Sequence, residues 1–234
     1  MHASPPARTR LGLQLALGAV VLIAAAWLFG EIAEDVATGD SLTRLDVEIA
    51  QWLHERATPT GTRWMLVITH LHSTIAISCY AVVIGVLLYA KRQGRRLVTL
   101  FACVAGGMVL NVAMKFAFHR ARPFFDQPLL TLPTYSFPSG HVAASTIFYG
   151  LGVAWVFGRT RNPGWRLLAL LAAASAIAIV AYSRMYLGVH YLSDVAAAFA
   201  EGVAWLALCL SAFAAFWRKA SPEPASPDPR VTSR

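Results

Sequence analysis

His190 and Asp194 stand four residues apart, the spacing that puts two side chains on one face of a helix. A carboxylate so placed accepts the ring Nδ1–H and fixes the tautomer, which leaves Nε2 free as a nucleophile. A second histidine, His141, has the chemistry such a nucleophile needs beside it: it donates a proton to a leaving oxygen and then activates water for the second step. Three cations, Lys115, Arg122 and Arg184, complete the group, and Asp194 is the only carboxylate read among them. Unopposed cations in a partly dehydrated site repel one another, so the pattern implies an anionic guest. Phosphate fits best, because arginine forks bind its oxygens bidentately and lysine adds a point charge. Pro138, Ser139, Gly140 and His141 form a turn leading into an apolar run. If that run is helical, its first amides and its dipole favour an anion, and Gly140 lets the backbone approach closely. Three cations over the equatorial oxygens need no Mg²⁺, and preorganised charge of this kind carries much of phosphoryl-transfer catalysis.

These residues lie far apart in the chain, and the elements that bring them together are read from composition. Of 234 residues, 57% are hydrophobic and only 14% charged, too apolar a balance for a solvated surface, so the bilayer is the expected solvent. The net charge of +8 does not imply nucleic acid, since the basic residues cluster in short segments between apolar runs. Cys79, Cys103 and Cys209 fall inside those runs at unrelated spacings, which supports neither a disulfide framework nor a thiolate metal site. His119, His141 and His190 are irregularly spaced and lack a completing ligand other than Asp194, so no metal and no cofactor are expected.

Six runs approach the roughly 20 apolar residues of a spanning helix: Leu11 to Phe29, Trp64 to Ala90, Leu97 to Phe118, Gly140 to Phe157, Leu167 to Tyr182 and Tyr191 to Phe216. The first is longer than a signal-peptide core and reads as an uncleaved anchor. Arg8 and Arg10, Lys91 to Arg96, Arg159 to Arg166, and Arg218 with Lys219 mark one side of the membrane as cytoplasmic, with both termini on it. Every candidate site residue then falls on the other side. The acid-rich segment from Glu31 to Arg63 holds Leu42, Leu45, Ile49, Trp52 and Leu53 at helical spacing behind Asp40 or Ser41, and predicts an amphipathic helix. It either lies at the membrane surface or packs over the outer ends of the spans. The expected fold is all-α, a polytopic six-transmembrane helix bundle with this extracytoplasmic helix. A single membrane domain, 11–218, carries its catalytic motifs within 115–194, between disordered cytoplasmic tails at 1–10 and 219–234.

Other polar residues have plainer readings. Arg120 and His119 belong to a solvated loop or meet lipid headgroups rather than taking part in catalysis, and His70 and His72, near the outer start of the second span, sit at the membrane interface or border the substrate entrance. Glu201, deep in the sixth span, makes a structural hydrogen bond in preference to relaying protons, and Phe124 and Phe125 either guide lipid tails or belong to an interfacial aromatic belt.

Lys115 to Pro123 reads K-x6-RP, Pro138 to His141 reads PSGH, and Ser183 to Asp194 reads SR-x5-H-x3-D. The three blocks, in order over about 80 residues, resemble the type 2 phosphatidic acid phosphatase family, which shares its site with vanadium haloperoxidases and bacterial acid phosphatases. The resemblance implies that Lys115, Arg122, Ser139, Gly140 and Arg184 bind phosphate, that His141 is the general acid, that His190 is the nucleophile, and that Asp194 orients it. It also implies metal independence and a lipid phosphate partner: phosphatidate, phosphatidylglycerophosphate, a lipid A phosphate or undecaprenyl diphosphate. Transfer of the phosphoryl group to a lipid or glycan acceptor is the alternative reaction, and a non-enzymatic anion carrier would leave the His–Asp pair without purpose. The sequence selects neither the lipid nor an oligomeric state.

Overall fold

This computed structural model describes residues 7–219, so the expectations for 1–6 and 220–234 lie outside the described residues. The described residues form eight helices and no strand: α1 (Ala7–Thr38), α2 (Ser41–Glu55), α3 (Pro59–Leu71), α4 (Thr74–Ala90), α5 (Gly94–Phe118), α6 (Gly140–Arg159), α7 (Pro163–Tyr186) and α8 (Leu192–Lys219). Five of these are long and apolar enough to cross a membrane, and α3 with α4, bent by 43° at their junction, pass the same test as a pair, which gives six if the pair is one broken span. The fold is thus an all-α membrane bundle, close to the expected six spans.

The bend has a local cause that hydropathy does not register. Within the apolar run from Trp64 to Ala90, Ser73 is an N-cap whose Oγ accepts the Ala76 amide at 3.1 Å, starting α4 afresh. His72 ends α3, its Nδ1 lying 2.9 Å from the Ile68 carbonyl and its Nε2 2.8 Å from the Tyr149 hydroxyl on α6. His72 thus sits at the break and is tied to a neighbouring helix. Upstream, α3 begins at Pro59, earlier than the apolar run, with Thr58 Oγ1 accepting the Gly61 amide at 3.1 Å. At the N-terminus α1 runs past both ends of its apolar stretch, starting inside the expected tail and carrying Glu31, Glu34 and Asp35 on its last turns.

At the centre, α6 packs against α4, α5, α7 and α8, and α1 lies along α8. The main core joins Ile77 and Ala81 of α4, Leu100, Cys103 and Val104 of α5, Ala144, Ile147 and Leu151 of α6, and Cys209 of α8. Small residues let these helices approach, as membrane bundles require in the absence of a hydrophobic force between helices. Outward-facing Leu13, Val20 and Ile23 of α1 are all more than 60% exposed, the apolar surface a span offers to lipid. α5 and α6 run in opposite directions with Lys91 to Arg96 and Arg159 to Arg166 at one end; the α5 C-terminus, the α6 and α8 N-termini and the α7 C-terminus share the other.

The amphipathic helix exists as expected, but its inward stripe is rotated. Buried on α2 are Asp46, Ala50 and Leu53, whereas Leu45 and Trp52 are 43% and 53% exposed. α2 packs over the ends of α7 and α8 with an aspartate on its inner face.

Gly202 sets the α6–α8 distance: a Cβ there would lie 2.8 Å from Thr146 Cβ and 3.2 Å from the Ala143 carbonyl. Gly202→Val should therefore cost about 1–3 kcal/mol through overpacking. It would be read as a lower unfolding midpoint in detergent; an unchanged midpoint would mean that these helices are not in tight contact.

Candidate active site

The connection between α7 and α8 presents His190. α7 ends at Tyr186, and Gly188, at φ +68°, supplies the left-handed residue that reverses the chain, its amide bonding Met185 O at 2.9 Å. No Cβ fits at Gly188, because the Phe125 ring lies 2.8 Å from where it would stand. Phe125 in turn stacks on His54 of α2, with ring centroids 4.0 Å apart. The two phenylalanines read together therefore separate: Phe125 is a wedge under α2, and Phe124 is 87% exposed.

His190 is buried at 2% exposure, with Nδ1 3.3 Å from Asp194 Oδ2. The same oxygen accepts the Tyr191 amide at 2.9 Å, the back half of a capping box that starts α8. On the other side of the ring, Nε2 lies 3.3 Å from Arg122 Nη1. The i, i+4 pair thus has the geometry its spacing suggested, with Nδ1 toward the carboxylate and Nε2 toward the cations.

Each of the three cations is held by neutral acceptors. Lys115 Nζ donates to the carbonyls of Tyr135 and Ser136 at 2.9 and 3.3 Å. Arg122 donates to the Thr134, Tyr135 and Val189 carbonyls at 2.7, 3.0 and 2.5 Å, and to Thr134 Oγ1 at 2.9 Å. Arg184, only 1% exposed, gives one Nη to the Thr69 hydroxyl of α3 and keeps Nε and the other Nη without a hydrogen-bond partner. None of the three forms a salt bridge among the described residues. Carbonyl and hydroxyl dipoles aim them, and their charge is left for something else.

Ser139 is the N-cap of α6, yet its buried Oγ bonds neither to a helix amide nor to any other protein atom. A Ser at this position ordinarily caps; here the hydroxyl is spare, beside the spare arginine donors. The turn is anchored by Phe137, fully buried against Phe29 and Phe118. The Ser139 amide donates to the Asp194 carbonyl at 3.1 Å, joining the turn before His141 to the first turn of α8. A cleft of about 560 Å³ opens on Lys115, Arg122, Gly140, His141, Arg184 and His190, and continues between α4 and α5 along Ile75, Cys79, Met108 and Val112. Its walls are ionic at one end and apolar at the other.

Every residue named from the sequence for this site is therefore near it, but the inventory was incomplete. Arg120, read as solvated, is instead ion-paired on two sides: it reaches Asp194 Oδ1 and Asp46 Oδ2 at 2.7 Å each and Ser193 Oγ at 2.6 Å. Burial opposes its charge, but Asp194 and Asp46 outweigh that and hold its pKa above the ordinary guanidinium value. Asp194 is thus not the only carboxylate here; Asp46 is the second, fully buried. Its sequence signal was an acid on the inner side of an amphipathic pattern, at i+4 from Leu42 and i−4 from Ala50. Thr69 and Thr134 gave no signal. His119 sits outside the group, its ring against Tyr135. Glu201 accepts from Asn111 Nδ2 at 2.8 Å, the hydrogen bond read for it.

A PAP2 superfamily model matches residues 96–218, more than half of the chain and all three motif blocks. Phosphatidylglycerophosphatase B of Bacillus subtilis is 28% identical over 167 residues, covering 70% of this chain and 77% of that protein. An undecaprenyl-diphosphatase of Sulfolobus acidocaldarius is 32% identical over 130 residues, covering 53% of this chain and 58% of its own length. Among solved structures, the transmembrane PAP2-type phosphatidylglycerolphosphate phosphatase of Bacillus subtilis superposes with a TM-score of 0.73 at 24% identity, over 86% of this chain and 97% of that one. LpxE of Aquifex aeolicus gives 0.55 at 19% identity, over 71% and 94%. Both structural matches share the membrane fold.

Burial first, then Arg184, Arg122 and Lys115, hold the His190 imidazole well below its ordinary value of 6.5. The ring is therefore neutral at neutral pH and protonates only as pH falls through the depressed value. Arg122→Gln removes one opposing cation, so protonation of His190 should move to higher pH. The ring-nitrogen NMR titration, assigned by its loss in His190→Gln, reports this directly; a midpoint that stays or falls contradicts the electrostatic account.

Proposed function

This chain belongs to the PAP2 superfamily, and from that membership we propose that it is a lipid phosphatase forming a phosphohistidine on His190. The substrate class is a phosphate or diphosphate monoester of a membrane lipid, of the phosphatidylglycerophosphate, phosphatidate, lipid A phosphate or undecaprenyl diphosphate type. One observation carries the reading: a buried His190 stands beside three cations, none ion-paired to a carboxylate among the described residues, at the ionic end of a cleft whose other end is apolar. A phosphorylated headgroup fits the first end and an acyl or prenyl chain the second.

In the first step Nε2 attacks phosphorus in line with the departing oxygen. The N–P bond forms, the P–O bond to the lipid breaks, and protonated His141 gives its proton to the leaving oxygen. Lys115, Arg122, Arg184, the Ser139 hydroxyl and the first amides of α6 surround the three equatorial oxygens, where charge is spread in the transition state. The phosphorylated ring carries positive charge, which Asp194 stabilises through Nδ1–H. In the second step His141 takes a proton from water, water oxygen bonds to phosphorus, and the N–P bond breaks to release inorganic phosphate and neutral His190.

The reading extends to a bacterial inner membrane, and the charge pattern supports both termini being cytoplasmic and the site extracytoplasmic, since the basic turns lie at the opposite ends of the site helices. In a background lacking the three cysteines, Gln127→Cys should react with an impermeant thiol reagent on intact cells, and Arg161→Cys only after permeabilisation. The reverse pattern would invert the orientation.

His190→Ala should lower turnover of lipid phosphates by about 10³-fold or more while the protein stays folded, as removal of a nucleophile does. Labelled substrate should leave an acid-labile phosphoryl group on the wild type and none on the variant. Release of inorganic phosphate in excess EDTA, undiminished by added lipid or glycan acceptors, is the expected product pattern. Retention of activity by His190→Ala would sink the mechanism.

A further inference from the structure

The turn that carries His190 is held from behind by groups lying outside all three motif roles. Asp46 Oδ1 accepts the Ser193 amide at 2.9 Å, one of the otherwise unpaired N–H groups of the first turn of α8, so α2 supplies an N-cap to α8 from another part of the chain. Asp46 Oδ2 accepts Arg120 Nη2 at 2.7 Å and the Ser193 hydroxyl. Arg120 Nη1 donates to Asp194 Oδ1 at 2.7 Å and to Ser193 Oγ at 2.6 Å, and its guanidinium lies 4.4 Å from the centre of the Tyr191 ring. Every oxygen of the two carboxylates is thereby engaged, and Oδ2 of Asp194 is the one that meets His190.

We propose that Asp46 and Arg120 are positioning residues for the reaction: Asp46 fixes Arg120, and Arg120 fixes the carboxylate plane of Asp194 so that Oδ2 stays on the His190 ring. The inference rests on the phosphohistidine reading above. Geometry is half of the argument. With Oδ1 released, the carboxylate turns about its own bond and no longer offers Oδ2 to Nδ1–H. Charge is the other half. Asp46, Arg120 and Asp194 together carry one net negative charge, placed behind the ring and opposite the cationic face. When Nε2 bonds to phosphorus the ring becomes positive, and this buried negative charge stabilises it where no water does. Arg120 alone on Asp194 would cancel the charge; the second carboxylate restores it. A surface helix outside the catalytic motifs is in this way part of the catalytic apparatus.

The test uses the full chain in detergent micelles containing phosphatidate, with kcat and KM measured for the wild type, Asp46→Asn, Arg120→Gln, Arg120→Lys, the double variant Asp46→Asn/Arg120→Gln, and His190→Ala. Asp46→Asn and Arg120→Gln should each lower kcat by about 10–100-fold, the range seen when a group orienting a reactive ligand is lost, and leave KM within about threefold. Arg120→Lys, which keeps a cation but not the two-armed bridge, should recover part of the Arg120→Gln loss. The double variant should be no worse than Arg120→Gln alone, because both act through one carboxylate. Elution profile and unfolding midpoint report the fold; if Arg120→Gln does not fold, the near-isosteric Asp46→Asn decides. A folded Asp46→Asn or Arg120→Gln enzyme with kcat within twofold of wild type, or a loss confined to KM, overturns the inference. Activity retained by His190→Ala overturns instead the reading beneath it.

Discussion

Like charges brought together away from water repel, and the site depends on holding three of them in place without neutralising them. The protein does this by dividing its acceptors. Lys115, Arg122 and Arg184 are oriented by carbonyls and hydroxyls, whose dipoles aim a cation while leaving its charge intact. The carboxylates go to a different cation, Arg120, which is ion-paired on two sides and faces away from the cleft. A buried cation whose partner is a carboxylate is part of the scaffold, and one whose partners are carbonyls is ready for an anion. The same residue type, two positions apart at Arg120 and Arg122, thus has opposite uses.

The rest of the bundle serves that division. The extended loop from His119 to Ser139 contributes the acceptors for Lys115 and Arg122, and it is fixed at both ends: Ser136 bonds back to the Arg120 and Ala121 carbonyls, and Leu129, Leu130 and Leu132 pack on Tyr186, Leu187 and Val189. The polar groups of this irregular backbone are used by the cations. α2 covers the arrangement, with Phe125 wedged between His54 and Gly188. The two halves of a site drawn from four helices and one loop are thereby locked to each other.

Much of this was legible in the sequence because charge is expensive in a membrane. A histidine, an arginine or a lysine among apolar runs stands out, and His141, His190, Lys115, Arg122 and Arg184 are all of that kind. The i, i+4 spacing of His190 and Asp194 survives folding because helix geometry alone fixes it. What stayed hidden was whatever depended on partners distant in the chain. Nothing local separates Arg120 from a solvated arginine; its role is set by Asp46, 74 residues away. The bend between α3 and α4 was hidden for another reason, since hydropathy averages over a window and a single capping Ser73 does not alter it. The amphipathic helix was visible, but its rotation was not, because the pattern counted Leu45 and Trp52 as inward when Asp46 takes the inner face.

The bond from the Ser139 amide to the Asp194 carbonyl joins the turn before His141 to the helix that follows His190. Being main chain to main chain, it does not depend on which side chains stand at either position. The spacing of the two histidines is therefore insulated from changes elsewhere in the cleft, whose walls along α4 and α5 are ordinary apolar residues. A frame of this kind lets tail-binding surfaces diversify under selection while the reaction axis stays where it is.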